Sequence, residues 1–272
     1  MKYILLLCLL SNAVFAQTDE IRRKDFPKVR EILTEWPDAE KTWVFIMAGQ
    51  SNMAGRGQVE PLDTLSHPRL LSIDSEGQLI RAKEPLHWYE PNLQGLDCGH
   101  SFGLELLANI PSDVHVVMIP VAVGGSAIAQ WIGDSTYRSV PLFTNFKEKV
   151  ALAKNFGQIK GILWHQGESD SRPDRLAQHH DQLKTLVAIM RYVVGNEQLP
   201  FILGELGSYS KTSENWQKMN EVLSSFAETD THVSLVKTAD LKHKGDFVHF
   251  DAPSQRALGR RFAEAYLQQF WK

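Results

Sequence analysis

"TWVFIMAGQSNMAGRG", residues 42–57, joins two unlike patterns. Thr42 to Ala48 is a nearly continuous apolar, β-branched and aromatic run, the mark of a strand buried on both faces. It breaks into Gly49, Gln50, Ser51 and Asn52, with Gly55 and Gly57 close behind. A small hydroxyl is thus presented between glycines at the end of a buried strand, where the chain can turn sharply and a ligand can approach the backbone.

The same alternation continues outward. Strands are predicted at 42–48, 114–123, 159–164, 201–206 and 232–238, the second bent or ended near Pro120. Helices are predicted at 101–110, 142–156, 174–194, 213–228 and 254–270. The third helix carries Leu176, Leu183, Val187, Met190 and Val194 on one face, with His180 in the same stripe, and Ser171, Pro173 and Asp174 mark its start. Repeated strand–helix units predict an α/β fold with a parallel five-stranded sheet covered on both sides. Residues 66–98 interrupt the rhythm, reading as a hairpin that turns at Glu76-Gly77 followed by a long surface loop.

The first sixteen residues, "MKYILLLCLLSNAVFA", have Lys2, an apolar run from Tyr3 to Leu10 and a small residue at Ala16. That is the pattern of a secretory signal peptide, and it predicts a secreted or periplasmic protein without a membrane anchor. Residues 17–40 read as a polar lead-in, and 41–272 as one catalytic-sized domain. With 29 basic and 32 acidic residues the chain carries a net charge of −3 and no basic stripe, which argues against nucleic acid as a partner. Cys98 is the one cysteine outside the leader, so no internal disulfide is expected. The sequence gives no reading of oligomeric state.

In open parallel sheets, functional residues collect at the carboxyl ends of strands. The loops there carry Gly49-Gln50-Ser51-Asn52, Gly124-Gly125-Ser126, His165-Gln166-Gly167-Glu168, and "KHKGDFVHFD" with Asp246 and His249. A serine becomes nucleophilic when a histidine takes its proton and a carboxylate orients that histidine. Ser51, His249 and Asp246 offer those groups, the last two within one turn of loop. Amides of Ser51 and of Gly125 or its neighbour Gly124, with the Gln166 side chain, offer donors for a developing oxyanion. Glu168 reads either as a loop brace or as a rival carboxylate for His249. His165, Glu168, His179 and His180 match no zinc spacing, so no metal or cofactor is expected. Trp88, Trp131 and Trp164 are candidates for a sugar-binding surface, and Trp164 equally for the core. Arg56 would meet either a substrate carboxylate or a structural one.

"GQSNMAGRG", "VAVGGSAI", "WHQGESD" and "DFVHFD" resemble the four sequence blocks of the SGNH hydrolase superfamily. They are most similar to its branch of sialate O-acetylesterase-like domains and family 6 carbohydrate esterases, including acetyl xylan esterases. The resemblance spans residues 42–270 and implies a three-layer α/β/α sandwich and metal-independent ester hydrolysis. It implies Ser51 as nucleophile, His249 as base, Asp246 as its orienting acid, and Ser51, Gly125 and Gln166 as the oxyanion hole, with Glu168, Gly124 and Asn52 in support. Gln50 stands where the superfamily commonly has Asp, and Gln166 where it commonly has Asn. The implied substrate is an acetylated oligosaccharide or polysaccharide, from xylan, sialic acid or a related glycan. A glycan-binding module with little turnover and a short-chain lipase or esterase are the alternatives.

Overall fold

Strand β1 (Thr42–Gly49) is buried along its whole length, and its side chains divide by parity between two cores. Val44, Ile46 and Ala48 enter one, with Val117, Phe146, Leu183 and Trp216. Trp43, Phe45 and Met47 enter the other, with Phe102, Leu106, Leu258 and Phe262. A strand with two apolar faces can be satisfied only at the centre of a sheet covered on both sides. Each fully buried Leu or Phe side chain contributes about 1.5–3 kcal/mol, so this central strand anchors the fold.

The computed structural model describes residues 22–271. After β1 come the short helix α1 (Ser51–Ala54), the strands β2 (Leu70–Ile73) and β3 (Leu79–Arg81), helix α2 (Gly99–Asn109) and strand β4 (His115–Pro120). A short helix α3 (Ile128–Ile132) leads into a two-stranded ribbon, β5 (Thr136–Tyr137) and β6 (Val140–Pro141). Then follow α4 (Leu142–Phe156), β7 (Gln158–His165), α5 (Pro173–Val194), β8 (Phe201–Gly204), α6 (Ser213–Ala227), β9 (Val233–Val236) and α7 (Ala252–Phe270). The main sheet has seven strands in the order β3-β2-β4-β1-β7-β8-β9. All neighbours are parallel except the β2–β3 hairpin. Helices α2 and α7 cover one face and α4, α5 and α6 the other, giving three layers.

The five expected strands all lie in the parallel part of the sheet, which has six strands rather than five. Two more join because the expected hairpin does not stand apart: β2 pairs with β4, Leu70 opposite Val116. Residues 31–33 lie along its outer edge, with the Leu33 N–H donating to the Leu79 carbonyl at 2.9 Å and the Arg81 N–H to the Glu31 carbonyl. The expected surface loop at 84–97 is largely interior. Glu84 is buried, accepts the N–H groups of Leu86, Asp97 and His100, and donates its own N–H to the Asp63 carbonyl, which draws this segment inward. Helix α5 begins one residue later than its capping pattern suggests, with Arg172 at the N-cap, while the Ser171 hydroxyl donates to the Gly167 carbonyl. The proposed leader, Met1 to Ala16, lies outside the described residues. Among the described residues no helix is long and apolar enough to cross a membrane.

Candidate active site

β1 ends beside β7, with Gly49 in register with His165. Gly49 has φ +132°, and a Cβ there would overlap the His165 carbonyl oxygen, so only glycine lets the chain turn here. Gln50 follows in extended conformation as the N-cap of α1, and Ser51 opens that helix. The Gln50 side-chain oxygen accepts from the Ser169 N–H at 3.2 Å and the Gln166 Nε2 at 3.3 Å. Gln50 thereby ties the serine turn to the loop after β7, a physical use for glutamine at the position before Ser51.

The loop between β9 and α7 brings in the other two groups. His249 Nε2 lies 3.0 Å from Ser51 Oγ, and His249 Nδ1 lies 2.7 Å from Asp246 Oδ2. The second Asp246 oxygen accepts the N–H groups of Val248 (3.0 Å) and His249 (2.8 Å). One carboxylate therefore both shapes the turn and holds the imidazole. Phe247, between them, sits at φ +61°, a conformation costing on the order of 1–3 kcal/mol in a non-glycine residue. His243 supports it by stacking on its ring at 4.3 Å and accepting its N–H. Phe250 is buried, but Phe247 and Val248 are exposed, so the histidine is sheltered from one side only.

Electrostatics suit a base. Burial pushes His249 below its ordinary 6.5, opposed by the Asp246 carboxylate, so the ring is neutral at neutral pH. Burial alone would raise Asp246, but N–H donation from the His249 backbone and ring and from Val248 prevails and brings it to about 2. Activity that needs neutral His249 should follow a one-proton limb, falling on acidification, with its midpoint below 6.5. A kcat/KM profile that is flat from pH 5 to 8 would contradict this assignment.

These groups line an open cavity of about 410 Å3 with Gln50, Gly125, Arg138, Glu168 and Ser169. Among the described residues, the N–H groups of Ser51 and Gly125 meet no protein acceptor. The Gly124 N–H is different: it donates to buried Glu90 at 2.7 Å. This separates the two glycines, leaving Gly125 as the available donor. Gly125 has φ +83°.

Gln166 departs from expectation. Its side chain is fully buried, and its Nε2 faces Asp170 at 2.6 Å, the Gln50 oxygen and the Ser126 carbonyl. An amide nitrogen surrounded by three acceptors has no hydrogen left to point into the cavity, so Gln166 braces the loop instead of serving as a third donor. Glu168 likewise accepts from Asn52 Nδ2 at 2.6 Å rather than contacting His249. Asn52 also donates to the Val248 carbonyl and accepts the Phe250 N–H, so it locks the serine turn to two other loops.

Several residues went unassigned in the sequence. Glu90 binds Arg56 at 2.6 Å as well as Gly124 and Arg138, which makes Arg56 the partner of a structural carboxylate. Its position in an irregular segment, far from Arg56 in sequence, hid this role. Asp170 accepts from the Ile128 N–H and Gln166, and Ser169 Oγ donates to the Gly125 carbonyl at 3.0 Å. Both belong to "WHQGESD", so the signal was present but had no partner to be read against. Trp131 and Trp164 are core residues meeting edge to face at 5.5 Å, and Trp88 packs against Tyr89. His165, His179 and His180 do not converge. His165 donates to the Glu205 carbonyl, and His179 rather than His180 is buried. Among the described residues no group of three or more such side chains is placed to hold a metal.

A doubly covered parallel sheet whose strand ends gather a serine, a histidine and an aspartate is the frame of an SGNH-type hydrolase. The family model described as "carbohydrate esterase, sialic acid-specific acetylesterase" matches residues 41–268, and the chain belongs to this carbohydrate esterase family. It is 28% identical over 249 residues to the "probable carbohydrate esterase At4g34215" of Arabidopsis thaliana, covering 84% of this chain and 91% of that one. The solved structure of that Arabidopsis protein superposes with TM-score 0.75 at 25% identity, over 84% of this chain and 98% of that one. The crystal structure of NanS has TM-score 0.69 at 20% identity, over 87% and 99% of the two chains. XAC1771, described as a novel carbohydrate acetylesterase from Xanthomonas citri, has TM-score 0.63 at 18% identity, over 84% and 56%. These last two likenesses are of fold.

Proposed function

We propose that this carbohydrate esterase removes O-acetyl groups from sugars through an acetyl-enzyme formed on Ser51. The observation that carries the reading is the continuous line Ser51 Oγ–His249 Nε2, 3.0 Å, and His249 Nδ1–Asp246 Oδ2, 2.7 Å. His249 takes the serine proton as Oγ attacks the acetyl carbonyl. The oxyanion is stabilised by the Ser51 and Gly125 N–H groups, and as the ester C–O bond breaks the protonated imidazole gives its proton to the departing sugar oxygen, which leaves as a hydroxyl. Water, deprotonated by the same histidine, then releases acetate and restores the serine. Asp246, held near 2, stays ionised throughout and keeps the imidazole in the tautomer with its lone pair toward Ser51.

A short acyl group is supported by the family match, whose description is that of an acetylesterase. The test is acetate release from acetylated xylan and O-acetylated sialosides, set against a series of chromogenic acetate, butyrate and octanoate esters. Acetate release with kcat/KM falling as the acyl chain lengthens supports the reading. Preference for octanoate would favour the lipase alternative, and sugar binding without release would favour the binding module. The apolar leader Met1 to Ala16 supports export, which N-terminal sequencing of the protein recovered outside the cytoplasm checks.

A further inference from the structure

Next to the catalytic cavity lies a second open groove of about 530 Å3 that the reaction itself does not use. The two share Gly125. The wall between them is fixed: Ser169 Oγ donates to the Gly125 carbonyl at 3.0 Å, and Arg175 Nη1 donates to the Ser169 carbonyl at 3.0 Å. Asp174, Gln178 and Gln182 descend one side of the groove at four-residue intervals along α5, and Gln130 faces them from α3. The groove's charges are already matched, Asp174 with Arg172 and Asp170 with Arg175. Among the described residues the carboxamides of Gln178 and Gln182 meet no protein partner. An amide both donates and accepts, which suits a hydroxyl.

Tyr137 stands at the junction, half-exposed, with its hydroxyl close over Gly125. It is carried on the β5–β6 ribbon, whose two turn residues, Arg138 and Ser139, have φ +47° and +64°. Such turns favour Asn-Gly, and a ribbon that holds Arg-Ser in that geometry is over-determined by its surroundings, as at ligand-contacting sites. The tyrosine ring thus lines the same groove as the two carboxamides, with the Arg138 guanidinium 5.8 Å from its centre.

We infer that this groove is a subsite for the sugar next to the acetylated one, so that the preferred substrate is an acetylated oligosaccharide rather than an acetylated monosaccharide. This rests on the deacetylation proposed above. The acetylated sugar occupies the Ser51 cavity, its neighbour crosses Tyr137, and the hydroxyls of that neighbour meet Gln178 and Gln182.

The experiment uses the full chain with O-acetylated xylose and xylo-oligosaccharides, O-acetylated sialic acid and its sialyl-oligosaccharides, and a chromogenic acetate ester. In the sugar type that is turned over, kcat/KM should rise about tenfold or more from monosaccharide to oligosaccharide, the yield of one or two added hydrogen bonds. The double substitution Gln178→Ala/Gln182→Ala, at an exposed and a half-buried position of α5, should remove most of that gain, chiefly through KM. It should leave the monosaccharide and the chromogenic ester within about twofold. Monosaccharide turnover without a length effect would overturn the subsite while leaving deacetylation standing, as would an equal loss on all substrates. No acetate release from any acetylated sugar would overturn deacetylation and the subsite with it.

Discussion

Ser51→Ala should lower turnover of a chromogenic acetate ester by about 10^4-fold or more while the protein stays folded. The expected loss is large because this variant removes the attacking atom itself, whereas the N–H donors at Ser51 and Gly125 remain. The fold should tolerate it. The N-cap of α1 is Gln50, not Ser51, and among the described residues the Ser51 hydroxyl bonds to His249 alone. Thermal unfolding midpoints of the two proteins should therefore nearly coincide. Turnover in the variant within tenfold of the parent would remove Ser51 from the chemistry.

Asp246→Asn should be the next most damaging change, reducing kcat on the order of 10^3- to 10^4-fold. An asparagine oxygen can still accept the Val248 and His249 N–H groups, so the turn survives. Its amide nitrogen, however, would donate to His249 Nδ1 and move the ring proton to Nε2. That tautomer cannot accept the proton of Ser51. Glu168→Gln provides the contrast, since Glu168 bonds to Asn52 and not to the imidazole. It should retain activity within about tenfold, through loosened loop packing alone. Equal losses in the two variants would mean that the two carboxylates share the role.

The frame was legible because β1, β4 and β8 are apolar on both faces, and helix α4 has the limits that its periodicity predicted. The gathering of Ser51, Gly125, Asp246 and His249 at one edge followed from the parallel topology. What stayed hidden were interactions that depend on two segments meeting. β2 looks like half of a hairpin until β4 supplies its second partner. Glu90 has meaning only beside Arg56 and Gly124. In α5 the buried stripe runs through His179, Leu183, Leu186 and Met190, whereas Leu176 is only partly buried and His180 sits at the boundary, edge to face with Phe226. Gln166 was misplaced for a related reason. A side-chain amide at a strand end can turn outward or inward, and the acceptors that turn it inward, Asp170, Gln50 and the Ser126 carbonyl, come from three places in the chain.

The meeting of Ser51 with His249 is tested most directly by covalent labelling with a small phosphonate ester, followed by peptide mass spectrometry. One adduct is expected, on the peptide bearing Ser51, abolished in Ser51→Ala and formed far more slowly in His249→Ala. An active protein that takes up no label at Ser51, or labels there at the same rate without His249, would contradict the mechanism.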